Sequence, residues 1–254
     1  MSKIFLSVVI PSYDEMANLQ KGVLDKVSHF LEKKKYKYEV IIVDDGSVDG
    51  SDKFVSQFAN ENANFIFIKQ QHSGKAGAVT KGVLSAQGEY VLFTDMDQAT
   101  PIEEVDKLLP YLEKGFDIVI GSRNNIRKGS PWTRVIMSRG WMFSRSMITP
   151  IKGIQDTQCG FKLFRHDVAQ RLFSYQNSLH SGYKKVSGSS VSAGFDVELL
   201  YIAQKMKYSI KEIPVNWLYV ETRRVNLVKD SIESLLYLLQ IKMNTLQGKY
   251  TTSV

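Results

Sequence analysis

One cysteine, Cys159, stands among 254 residues. Its isolation excludes a disulfide framework and any multi-cysteine zinc or iron–sulfur centre, and it suits a reducing compartment. Chains of this length bury roughly 70–75% of their unfolded surface and fold without such staples. Proline and glycine are sparse, at 6 and 17 residues, which excludes collagen-like and low-complexity chains. No run approaches the roughly 20 apolar residues that span a bilayer. The opening residues lead at once into Val8-Val9-Ile10-Pro11, too short and strand-like a start for a signal peptide. A cytoplasmic protein is expected, with membrane contact that is peripheral only. Acidic residues are the minority charge, 26 against 33 Lys and Arg, for a net +7. Such an excess favours an anionic partner: nucleic acid, a phosphorylated substrate or an acidic membrane face.

What is present is a repeating rhythm. Apolar runs at Phe5–Ile10, Tyr38–Val43, Phe65–Ile68, Tyr90–Thr94 and Phe116–Ile120 predict five strands. Helical patterns separate them: Glu15 to Lys34, a helix carrying Phe54, Val55 and Phe58 that Asp49 can cap, Ala76–Ala86, and Ile102–Leu112 opened by Pro101. Strands apolar on both faces, alternating with helices, predict an α/β fold with a mostly parallel sheet and helices on each side. After Arg123 the rhythm breaks. Trp132–Ile151 reads as a helix interleaved with arginines, Asn177–Ser192 as a loop, Phe195–Met206 as a helix and Ser209–Val215 as extended. Asp230–Leu246 reads as an amphipathic helix. Its stripe of Ile232, Leu235, Leu236, Leu239, Met243 and Leu246 is expected to pack on its own domain. No linker is visible, so residues 1–254 read as one domain with halves meeting near residue 123.

In an open parallel sheet, ligands bind outside the carboxyl ends of the strands. The chain delivers Pro11, Ser12, Tyr13, Asp14 and Glu15 there, then Asp44, Asp45 and Ser47, then Gln71, Gly74 and Lys75, then Asp95 and Asp97, then Arg123. Carboxylates this crowded raise one another's pKa unless a cation joins them. In extended chain Asp95 and Asp97 point to one side. Such a pair can share a hard divalent cation, Mg²⁺ or Mn²⁺, which keeps water and substrate phosphate in its shell. The same carboxylates repel a phosphate backbone and argue against nucleic acid as partner. Gly74-Lys75-Ala76-Gly77 lacks P-loop spacing, and no Gly-x-Gly-x-x-Gly follows the first strand. His29, His72, His166 and His180 make no metal spacing and are expected at the surface, and Cys159 is expected as a small buried residue.

Five segments share order and spacing with a known family: Val9-Ile10-Pro11-Ser12-Tyr13-Asp14-Glu15, Val43-Asp44-Asp45-Gly46-Ser47-Val48-Asp49, Gly74-Lys75-Ala76-Gly77-Ala78, Thr94-Asp95-Met96-Asp97 and Ile120-Gly121-Ser122-Arg123. They resemble the family two glycosyltransferases of GT-A fold. Asp156-Thr157-Gln158-Cys159-Gly160-Phe161-Lys162-Leu163-Phe164, Phe195-Asp196-Val197-Glu198-Leu199-Leu200 and Glu212-Ile213-Pro214-Val215 narrow the likeness to polyprenyl-phosphate glycosyltransferases, above all the dolichyl-phosphate β-glucosyltransferase branch.

The resemblance implies an inverting transfer of a hexose, glucose by preference, from a UDP-sugar to dolichyl or undecaprenyl phosphate, with Mg²⁺ or Mn²⁺. It implies that Pro11, Tyr13, Glu15, Asp44 and Asp45 cradle the uridine, with Lys75 near the nucleotide. Asp95 and Asp97, joined by Gln98, hold the metal. Asp156 lies where the acceptor reacts, and Arg123, Arg139 and Arg224 face the acceptor phosphate. Thr222-Arg223-Arg224-Val225-Asn226 falls on the family's Gly-Ser-Lys-Val-Asn-type segment, so Arg224 keeps the lysine's charge. Asp14 stands where Asn is common and is expected to cap the helix that follows. Residues 1–123 then bind the nucleotide sugar and 124–254 the acceptor. The alternative is a soluble glycan or protein hydroxyl, which needs a base, Asp156 or Asp196. Trp132–Ile151 and Asp230–Leu246 are the candidates for resting on an anionic membrane.

Overall fold

The computed structural model describes residues 3–123, 147–180, 183, 194–218 and 227–250, with backbone alone over 227–234. Its strands are β1 (Leu6–Ser12), β2 (Tyr38–Asp44), β3 (Phe65–Lys69), β4 (Tyr90–Thr94), β5 (Ile118–Ser122), β6 (Phe161–Arg165) and β7 (Ile210–Pro214). They form one sheet in the order β3-β2-β1-β4-β6-β5-β7. All neighbours run parallel except β6, which is antiparallel to both β4 and β5. The described helices are α1 (Met16–Leu19), α2 (Val23–Glu32), α3 (Ser51–Glu61), α4 (Gly74–Ser85), α5 (Val105–Glu113), α6 (His166–Leu179), α7 (Phe195–Lys205) and α8 (Leu227–Leu246).

The pleat sends alternate strand residues to opposite faces, and each face carries its own core. Val9, Ile41, Val91 and Phe93 look towards α4, α6, α7 and α8. Val8, Ile10, Ile42 and Leu92 look towards α2, α3 and α5. Pro11 lies in a central strand, where a missing N–H would normally break the ladder. It is tolerated because β4 stops pairing at Val9↔Phe93, leaving Pro11 beside β2 alone.

Several expectations change. The Glu15–Lys34 helix is two helices, because Gly22 adopts φ +70° between them. Such a left-handed turn comes without strain only to glycine. β6 and α6 fill a region to which the sequence pattern assigned no elements. Asn177, Ser178 and Leu179 close α6 rather than opening a loop. Of the expected Trp132–Ile151 helix, Met147 and Ile148 are helical, the chain leaves the helix at Thr149, and residues 132–146 lie outside the described residues. On α8, Leu238 and Ile241 face the core, whereas Leu235, Leu236, Leu239, Met243 and Leu246 are exposed, Leu246 by 78%. The stripe expected to pack on the domain is therefore its outer face. Cys159 is buried, as expected.

Candidate active site

The first two strand ends are stitched together by the Asp-Gly-Ser-Val-Asp segment. Asp14 N–H donates to Ser47 Oγ (2.9 Å), and Val48 N–H returns a bond to Asp14 Oδ1 (2.8 Å). Glu15 N–H donates to Ser51 Oγ (3.1 Å), and Met16 N–H to Asp49 Oδ2 (3.0 Å). Asp49 Oδ1 accepts Ser51 N–H (2.9 Å) at the start of α3. Asp14 thus ties two loops and does not cap α1. It sits at φ +50°, a region that Asn and Asp enter more readily than most residues, which accounts for the residue type. The Glu15 carboxylate accepts Asn18 Nδ2–H (2.6 Å).

Asp44 and Asp45 are both buried but differ in use. Asp44 Oδ2 accepts the N–H groups of Gly46 (3.1 Å) and Ser47 (3.2 Å), while its buried Oδ1 has no partner. Asp45 is saturated: Oδ1 accepts Gln70 Nε2 (2.7 Å) and Ser73 N–H (2.8 Å), and Oδ2 accepts Gly74 N–H (2.8 Å). His72 Nδ1 lies 2.7 Å from the same Oδ2, and its ring stacks on Tyr13 at 4.3 Å between centroids. Two corrections follow. Gln70, not the exposed Gln71, faces the crevice. His72 is not a surface residue but links Tyr13 to Asp45. The Asp45 partner, 27 positions away in sequence, hid it. Its place between β3 and α4, at the carboxyl end of the sheet, was the signal available.

Asp95 follows β4 directly, and Met96 and Asp97 turn away in a bend that Gln98 N–H closes onto the Asp95 carbonyl (3.2 Å). Met96 is buried while both carboxylates look outward. Asp95 and Asp97 stand near enough for their charges to interact, in a turn rather than the expected extended chain. Burial, then the neighbouring Asp95 charge, push the Asp97 carboxyl above its usual range. Gln98 Nε2 donates to the Asp95 carbonyl (2.9 Å), and its buried Oε1 has no partner. Oxygen donors, a repelled carboxylate and an orphaned carbonyl fit a hard divalent cation. Among the described residues no cluster of three His, Cys, Asp or Glu could hold one; water and substrate oxygens would make up the rest of such a shell. Gly160 makes room here, because a Cβ at that position would collide with the Asp95 carboxylate.

Lys75, at the start of α4, lies 2.6 Å from Asp95 Oδ1. Burial alone would depress its ammonium, but Asp95, Asp196 and Asp97 together raise it above its usual value. Arg123 and Asp156 meet in a closed pair. Arg123 donates through its backbone N–H (2.9 Å) and Nε (2.8 Å) to Oδ2, and through a terminal guanidinium N–H (2.7 Å) to Oδ1. Burial would raise the Asp156 carboxyl, and Arg123 overrides it and holds it below its usual range. His180 also departs from the surface expectation, resting 2.5 Å from the buried Glu198. Arg139, Arg223 and Arg224 lie outside the described residues.

Residues 7–173 match the family model described as Glycosyl transferase family 2. The chain is 34% identical over 266 residues to a dolichyl-phosphate β-glucosyltransferase of Dictyostelium discoideum, covering 98% of this chain and 77% of the relative. It is 38% identical over 239 residues to the Homo sapiens protein of the same name, covering 85% of this chain and 68% of that one. Among solved structures, the mannosyltransferase PcManGT of Pyrobaculum calidifontis, in complex with GDP-Man and Mn²⁺, superposes with a TM-score of 0.62 at 19% identity, over 97% of this chain and 65% of its own. Fold and site together define a glycosyltransferase of the GT-A class. The chain belongs to glycosyl transferase family 2.

Proposed function

We propose that this enzyme transfers glucose from UDP-glucose to a polyprenyl phosphate, dolichyl or undecaprenyl, inverting the anomeric centre. The observation that carries the reading is the Asp95–Asp97 pair at the end of β4, with Lys75 at 2.6 Å from one carboxylate and an orphaned Gln98 Oε1 beside them. That arrangement suits a sugar diphosphate. The names of the relatives support glucose and the lipid phosphate. Asp95, Asp97 and Gln98 would hold Mg²⁺ or Mn²⁺, which when bound neutralises charge on the leaving diphosphate.

The protein's own residues do the rest. Tyr13, backed by His72, offers a ring face to the base. Asp44 Oδ1, buried and unpartnered, is an acceptor for an N–H of that base. Asp45 acts indirectly, by fixing the loop from Gln70 to Gly74. Lys75 balances the diphosphate. In the reaction, an oxygen of the lipid phosphate bonds to the sugar C1 as the bond from C1 to the UDP β-phosphate oxygen breaks, and that electron pair leaves with UDP. A phosphate monoester has a second pKa near 6, so the nucleophile is already anionic at about neutral pH and needs no base. Asp156 fits this chemistry, because it is committed to Arg123 and stays ionised rather than shuttling a proton.

No described helix is long and apolar enough to cross a membrane. The exposed Leu235, Leu236, Leu239, Met243 and Leu246 of α8 support peripheral contact with an anionic bilayer, where each nearby Lys or Arg adds about 1 kcal/mol. The test is transfer of radiolabelled glucose from UDP-glucose in Mn²⁺ to polyprenyl phosphate, with free sugars and a hydroxyl peptide as competing acceptors. Label is expected in the lipid fraction. Label confined to a soluble hydroxyl acceptor would replace the lipid reading.

A further inference from the structure

Lys162 is fully buried, a position where an ammonium without a partner costs far more than one residue can offset. It lies on β6 directly opposite Phe93 of β4, two residues before Asp95. Its Nζ donates to the Cys159 carbonyl (2.6 Å) and to Asp196 Oδ1. Asp196 lies in the first turn of α7, where the helix terminus favours negative charge, and its carboxylate keeps slight exposure while Lys162 has none.

Two ammonium groups stand near one ring: Lys162 Nζ is 5.6 Å and Lys75 Nζ 5.2 Å from the Phe93 centroid. Asp196, held against Lys162, thus stands beside the ring that Lys75 also approaches, where its negative charge favours the Lys75 ammonium. The groups therefore alternate in sign from the core to the crevice: Lys162, Asp196, Lys75, Asp95.

We propose that Lys162 is a positioning residue for the donor site, the buried end of a charge chain through Asp196 that holds the Lys75 ammonium where the donor diphosphate binds. Lys162 keeps Asp196 in place, so that Asp196 and Asp95 together hold the Lys75 ammonium at the diphosphate; without the pair, that support from the core side is lost. Lys162 touches no substrate and acts only through its neighbours. The inference rests on the donor assignment proposed above.

Calorimetric titration of UDP in Mn²⁺ tests it with four proteins: wild type, Lys75→Met, the pair Lys162→Met with Asp196→Asn, and the triple variant. Replacing both partners removes the ion pair without stranding a charge, so the fold is kept, and a thermal melt checks this. The paired variant is expected to bind UDP at least tenfold more weakly, and to raise KM for UDP-glucose but not for polyprenyl phosphate. In the Lys75→Met background the same pair is expected to change UDP affinity less than twofold. Wild-type affinity in the paired variant, or a further tenfold loss in the triple variant, would overturn the inference. A wild type that ignores UDP would instead overturn the donor assignment.

Discussion

The carboxylates that open onto the crevice from β4 and those placed after residue 150 are balanced in different ways. Among the described residues Lys75 pairs with Asp95 at 2.6 Å, whereas Asp97, raised by burial and by its neighbour, feels the charges of Lys75 and Lys21. Beyond residue 150, among the described residues, three carboxylates have a cationic or imidazole partner each: the buried Asp156 with Arg123, the buried Glu198 with His180, and the partly buried Asp196 with Lys162. Those three carboxylates are matched within the fold. Among the described residues the β4 pair is underbalanced, a deficit that a divalent cation brought with a diphosphate would fill. Complementarity to a ligand can thus be recognised in what a fold fails to neutralise.

Breaking a matched pair should cost stability. Asp156→Asn leaves Arg123 without its carboxylate, and the loss of one partner of a buried pair costs about 3–5 kcal/mol. A fall in Tm on the order of 10 °C is expected for a chain of this size, and a change within ~2 °C would show that the pair contributes little. The effect has a pH window. The folded carboxyl titrates below the usual ~3.9, so the unfolded chain takes up its proton first as pH falls. The stabilisation is complete above that usual value and is lost as pH drops through the lower, folded value. Acid unfolding of wild type against Asp156→Asn should converge there.

A smaller effect is expected where the donor region is supported indirectly. His72→Ala removes the ring behind Tyr13, a stacked pair worth about 0.5–1.5 kcal/mol. UDP affinity should fall roughly two- to tenfold, with Tm little changed. A loss beyond about 100-fold would mean that His72 contacts the nucleotide itself.

The same two regions differ in how far their sequence discloses them. From β1 to β5, strands apolar on both faces alternate with helices, and chemistry-bearing residues gather at the strand ends. Order, sheet type and most of the crevice are readable there. The later region hides β6 because Lys162 and Arg165 give Phe161–Arg165 the look of a polar segment, and Lys162 is buried only by virtue of Asp196, 34 positions away. The outer face of α8 misleads in the opposite sense: an apolar stripe signals burial, yet Leu238 and Ile241 do the packing while Leu236 and Met243 face outward. His72 and Gln70 escaped because Asp45, the residue that gathers them, stands on another strand end. Pairing across distant sequence is the information a periodic pattern does not carry.

The central claim, that the Asp95–Asp97 site is underbalanced and completed by metal and diphosphate together, is tested most directly by titrating UDP with Mn²⁺ and then in excess chelator, for wild type and Asp97→Asn. Wild type should bind UDP at least about tenfold more tightly with Mn²⁺, a gain of about 1.4 kcal/mol or more, and Asp97→Asn should lose that gain while keeping its melting temperature. Equal affinity with and without metal, or an undiminished metal effect in Asp97→Asn, would contradict it.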